Sequence, residues 1–76
     1  MLTTSIIVNG RSRIVTTKSV SYADVVKLAY ENPPKHLLTV TFYRGPFLKS
    51  EGSLTPGEIT NVRDEMVFNV VDTSGA

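Results

Sequence analysis

Cysteine and tryptophan are both absent from this 76-residue chain, and histidine occurs once, as His36. Without cysteine there is no disulfide, no thiolate metal site and no thiol nucleophile of the chain's own. A single histidine cannot assemble a metal cluster or a Ser-His-Asp machine, so no metal, cofactor or catalytic residue is expected. Charge of one sign is missing too. Eight Lys and Arg stand against seven Asp and Glu, a formal net charge of +1, which leaves no basic stripe to track phosphates and no reason to expect nucleic acid as a partner. No apolar run nears the ~18 residues of a membrane span, and no charged-then-apolar leader opens the sequence. The expectation is a soluble, cytoplasmic protein without a membrane partner. Hydrophobic residues, at 41%, can fill one small core but leave little to wall a deep pocket. These absences argue against an enzyme.

What is present is patterned. Ser5-Ile6-Ile7-Val8 is rich in β-branched residues and runs into Asn9-Gly10, a strong hairpin signal because both residues tolerate positive φ. Arg13-Ile14-Val15-Thr16-Thr17 is the expected return strand. A two-residue turn would set Ile6 and Val8 on one face with Arg11 and Arg13, an uncomfortable register. A longer, bulged turn would free the arginines to face solvent. Ser21 then offers an N-cap and Asp24 completes a capping box. At 100° per residue Tyr22, Val25, Val26 and Ala29 share one helical face, with Leu28 and Tyr30 at its margins and Asp24, Lys27 and Glu31 opposite. Asn32-Pro33-Pro34 stops that helix, and His36, just beyond, reads as a solvated loop residue.

Leu38 to Tyr43 alternates, with Leu38, Val40 and Phe42 inward and Thr39, Thr41 and Tyr43 outward. Gly45-Pro46 turns the chain, Phe47-Leu48-Lys49 gives a short edge strand, and Gly52 and Pro56-Gly57 mark a long irregular crossing. Met66, Phe68 and Val70 close the sheet. The order ββαβ, short strand, β makes the chain α+β. Its compact solution is a β-grasp, a mixed sheet of four to five strands with one helix packed across it. The expected boundaries are a flexible N-terminus over 1–4, the domain over 5–71 and a flexible tail over 72–76. The tail, Asp72-Thr73-Ser74-Gly75-Ala76, places a glycine next to last, and a glycine carboxylate passes through a narrow enzyme channel without side-chain obstruction.

Ile7-Val8-Asn9-Gly10, Leu28-Ala29, Val40-Thr41-Phe42-Tyr43, Glu51-Gly52-Ser53-Leu54-Thr55-Pro56-Gly57 and Met66-Val67-Phe68-Asn69-Val70 together resemble the bacterial ubiquitin-like family known as multiubiquitin domains. The resemblance covers about residues 5 to 73. It implies a β-grasp modifier that is a substrate of conjugation machinery: an E1-like activating enzyme, an E2-like conjugating enzyme and a JAB-type metalloprotease. It makes a role in antiphage defence an expectation as well. Many relatives carry tandem copies, and this chain holds one. The sequence departs from eukaryotic ubiquitin in lacking a terminal Gly-Gly. Ser74, Gly75 and Ala76 are therefore the expected processing and conjugation residues, with Gly75 the reactive end once Ala76 is removed.

The resemblance also implies a partner-binding patch on the sheet face away from the helix. Outward alternation assigns Tyr43 and Val71 to it, with Phe47 nearby and Arg44 or Arg63 as an orienting rim charge. Recognition should weaken on Tyr43→Ala. Lys18, Lys27, Lys35 and Lys49 could each accept a further copy, and nothing in the sequence ranks them. Two other classes remain open. One is a noncovalent interaction module with an idle tail. The other is a sulfur carrier, which shares the fold and the acyl-adenylate chemistry but normally ends in Gly-Gly.

Overall fold

In the computed structural model, which describes residues 3–35, 37–43 and 51–72, the first hairpin turns in two residues. Asn9 (φ 50°) and Gly10 (φ 80°) both take the left-handed conformation that lets a tight turn follow the right-handed twist of its strands. β1 (Thr4–Val8) and β2 (Arg11–Val15) consequently pair with Val8 opposite Arg11 and Ile6 opposite Arg13. This is the register the sequence reading found uncomfortable, and β2 begins and ends two residues earlier than expected. The arginines are tolerated because β2 lies at the rim of the sheet, while the helix packs chiefly on the inner strands. Arg11 is exposed and Arg13 half-buried. A long aliphatic stem can lie along apolar surface there.

β3 (Ser19–Ser21) leads directly into α1 (Tyr22–Ala29). The capping box is present. Asp24 N–H donates to Ser21 Oγ (3.2 Å), and Ser21 N–H donates to Asp24 Oδ2 (3.0 Å), so two otherwise orphaned amides are satisfied. Val25 and Val26 are buried, and Tyr22, Leu28, Ala29 and Tyr30 pack at the core's edge. Tyr30 already has extended backbone, so the helix ends before Pro33, whose ring would clash with the Ala29 carbonyl if the helix ran on. The chain's return from the helix is tied down where the Leu38 amide donates to the Tyr22 hydroxyl (2.9 Å).

β4 (Thr39–Tyr43), β5 (Glu51–Leu54) and β7 (Met66–Val71) complete a five-stranded sheet in the order β2-β1-β7-β4-β5. β1 and β7 run parallel and every other neighbouring pair antiparallel. With α1 packed across it, this is the mixed sheet and single helix of a β-grasp. The core face carries Ile6, Val8, Val40, Phe42, Leu54, Met66, Phe68 and Val70 against Val25 and Val26. Phe42 and Phe68 sit as a tilted ring pair 5.7 Å apart, within the range that favours aromatic contacts.

Two expectations change in the second half. The edge strand is β5, so Gly52 lies inside a strand rather than in an irregular crossing; Phe47-Leu48-Lys49, where an edge strand was expected, falls outside the described residues. Gly52 fits because it stands opposite Phe42, whose ring covers it. A second, two-stranded sheet, β3 with β6 (Ile59–Asn61), was not foreseen. Its two strands have three residues each, too short to show an alternation. Between β5 and β6, Thr55-Pro56-Gly57-Glu58 forms a tight turn: Glu58 N–H donates to Thr55 O (2.9 Å) and Gly57 takes φ 91°. Proline then glycine at the central positions is type II turn chemistry.

Candidate partner-binding face

Because side chains alternate along a strand, the residues between the core positions form the sheet's other face. The register fixes their rows. Ser12, Ile7, Val67 and Tyr43 stand side by side across β2, β1, β7 and β4. Ile14, paired with Ser5, sits diagonally beside Ile7. Around Ser12, the apolar Ile14, Ile7, Val67 and Tyr43 make a band over four strands: Ile14 is 61% exposed, Tyr43 40%, and Ile7 and Val67 are half-buried. The next row, Asn69 and Thr41 with Ser53 beyond, is polar. Val71, 50% exposed, follows in the last row opposite Thr39.

Tyr43 and Val71 therefore share the outer face, as alternation implied, but the structure does not bring them together. They mark opposite ends, four residues apart along β7 (about 13 Å at the usual strand rise), with the polar row between. Arg63 is exposed in the β6–β7 loop, at the end carrying Ile14 and Tyr43. That loop is held where Ser5 N–H donates to Asp64 Oδ1 (3.0 Å) and Glu65 N–H to Ser5 O (2.7 Å). Arg44, Phe47, Ser74, Gly75, Ala76, His36 and Lys49 lie outside the described residues. Lys18, Lys27 and Lys35 are exposed. Sequence reasoning missed Ile7, Ile14 and Val67. Ile7 and Val67 were accessible to it, since residues flanked by inward Ile6 and Val8, or by Met66 and Phe68, must point outward. Ile14 depended on the hairpin register.

The other end of the face is where β7 runs out toward the tail. β1 stops at Val8, which would leave Val70 without a ladder partner on that side. The Asn9 side chain replaces it. Val70 N–H donates to Asn9 Oδ1 (2.8 Å), and Asn9 Nδ2 donates to Val70 O (3.2 Å). β7 is thus bonded on both sides nearly to its end, and Asp72 follows from the central strand of the sheet. Among the described residues, no three of His, Cys, Asp and Glu gather as a metal site would need, and no helix is long and apolar enough to cross a membrane.

Residues 4–74 match the family model described as multiubiquitin. Neither the curated proteins nor the solved structures give a match.

Proposed function

The chain belongs to the multiubiquitin family, and from that premise we propose that this ubiquitin-like module is a bacterial protein modifier, itself not an enzyme, attached to targets through its C-terminal tail. The observation that carries the reading is the span of the family match, which runs past the last strand to Ser74 and so includes tail as well as sheet. In the proposed cycle a JAB-type peptidase hydrolyses the chain after Gly75. An E1-like enzyme condenses the freed carboxylate with ATP, releasing pyrophosphate. A thiol on that enzyme or on an E2-like enzyme displaces AMP, and a target nucleophile then takes the acyl group. Adenylation depends on ATP, which places the cycle in the cytoplasm.

The chain's own contribution is mechanical. Strand β7, flanked by β1 and β4 and closed by Asn9, gives the tail a fixed origin relative to the outer face. From Asp72 to Gly75 the reach is at most about 14 Å at ~3.4 Å per residue, so the folded part must dock close to the adenylating centre. Val71 stands nearest that origin and Tyr43 four residues of β7 farther along the same face. An enzyme that grips the tail end should therefore depend on Val71 more than on Tyr43, and a partner seated on the apolar band should show the reverse. The test is co-expression with candidate peptidase, activating and conjugating enzymes. The intact chain should yield higher-mass adducts on denaturing gels, and the chain lacking residues 74–76 should yield none. Adducts that persist without those residues would refute tail conjugation. Intact cellular activity without them would favour a noncovalent module.

A further inference from the structure

A strand at the rim of a sheet leaves half of its backbone groups unpaired, and β2 is such a strand. Which half follows from its neighbours. Ser5 O accepts from Glu65 N–H (2.7 Å) and Asn9 N–H donates to Phe68 O (3.0 Å), so Ser5, Ile7 and Asn9 turn their backbone toward β7. Thr4, Ile6 and Val8 must then turn toward β2, where Val15, Arg13 and Arg11 meet them. Ser12 and Ile14 remain, with N–H and C=O directed away from the sheet.

The surroundings of that open edge are cationic and partly apolar. Arg11 and Arg13 lie on the helix face of β2, and among the described residues no carboxylate pairs with either. Arg13 Nε is buried and has no hydrogen-bond partner, an unmet donor that normally calls for an acceptor. Between β2 and α1 runs a groove of about 350 Å³ whose lining includes Val15, Val20, Leu28, Lys27 and Asp24. The Asp24 carboxylate is already engaged by Ser21 N–H in the capping box. That bond leaves the carboxylate its charge, but Arg11, Arg13 and Lys27 outnumber Asp24, so the net charge around this edge is positive.

We propose that the β2 edge receives an extended acidic segment of a partner protein as an added strand, independently of any covalent role of the tail. A second copy of β2 is the poorer occupant. Antiparallel pairing of two such strands with full overlap is centred on Arg13 and sets its guanidinium opposite its own copy, a like-charge pair. An acidic strand meets the same groups with the opposite sign. Its chemistry follows from the alternation. Residues facing Arg11 and Arg13 are acidic, the residue facing Val15 is apolar and enters the groove, and the one facing Ile14 is apolar on the outer face. Affinity comes from main-chain hydrogen bonds and selectivity from these side chains.

The test uses short synthetic peptides centred on Glu-Thr-Glu-Val-Val and on the reverse order, titrated into the isotope-labelled chain and followed by amide shifts. Ser12, Ile14, Lys27 and Leu28 should move. Replacing both peptide glutamates by lysine should weaken binding by about tenfold or more. Arg13→Glu, which leaves Arg11 in place, should remove most of that preference. Should that variant fail to fold, Ile14→Pro removes one outward N–H without touching the β1 ladder and should abolish binding while the remaining amide spectrum persists. Equal binding of the lysine peptides, no binding of either acidic peptide, or shifts centred on Tyr43 and Val67 would overturn the proposal. So would a concentration-dependent dimer that moves the Ser12 and Ile14 amides without peptide.

Discussion

Replacing Gly52 by alanine should destabilise the fold through a single ring. The ideal Cβ at position 52 would overlap Cζ of Phe42, with Cε2 at 2.8 Å and Cε1 at 3.0 Å, where carbon atoms need about 3.5–4.0 Å. Phe42 is 6% exposed and lies against Phe68 at 5.7 Å, so the ring has little room to retreat inward. Overpacking of this kind costs about 1–3 kcal/mol. Removing a glycine from the unfolded chain gives back about 0.4–1 kcal/mol. The midpoints leave a net loss of about 1.3 kcal/mol, which for a domain this size lowers the melting temperature by roughly 5–10 °C. In a Phe42→Leu background the obstructing ring is gone, and Gly52→Ala should become neutral or stabilising. Urea denaturation of the wild type, both single variants and the double variant measures the coupling. An equal cost of Gly52→Ala in both backgrounds, within about 0.5 kcal/mol, would refute the reasoning.

Three other expectations rest on separate contacts. Asn9→Ala removes both hydrogen bonds to Val70 and puts a Cβ-bearing residue without a compensating amide at φ 50°; the expected loss is about 2–3 kcal/mol by urea denaturation, with Asn9→Asp, which keeps the Oδ1 acceptor, intermediate. Tyr22→Phe takes away the acceptor of the part-buried Leu38 amide, which should cost about 1–2 kcal/mol and speed hydrogen exchange at Leu38. Glu58 accepts hydrogen bonds from the Thr55 hydroxyl and the Thr55 N–H, both 2.7 Å, and these hold its carboxyl below the ordinary value. A depressed folded pKa adds stability above the unfolded pKa that disappears as pH falls through the folded one, so Glu58→Gln should flatten that part of the acid limb of the stability profile.

The elements announced by local chemistry were legible in the sequence. Asn9-Gly10, Ser21 with Asp24, Asn32-Pro33-Pro34 and Pro56-Gly57 each act through a residue's own backbone preferences or a contact three residues away. Strand Thr39–Tyr43 was legible because its two faces differ so plainly. The remainder depended on distant partners. Arg11 and Arg13 look wrong on a core face until β2 is known to be a rim strand beyond the helix's main footprint. Gly52 reads as a breaker until Phe42 is known to lie over it. The β3–β6 pair involves strands with no pattern of their own. On the candidate face, alternation found Tyr43 and Val71 but could not show that a polar row divides them. Nor could it show that Ile14 joins Ile7, Val67 and Tyr43 in one band, since cross-strand neighbours are set by register.

Intact-mass spectrometry of the chain recovered from cells that also express its candidate activating, conjugating and peptidase enzymes, followed by peptide mapping of the tail, tests the central claim most directly. The account predicts cleavage after Gly75 and a remnant ending in Gly75 on other proteins. An unprocessed and unconjugated tail with the enzymes shown to be active, a remnant ending in Ala76, or a sulfur-for-oxygen mass shift at the terminal carboxylate would contradict it.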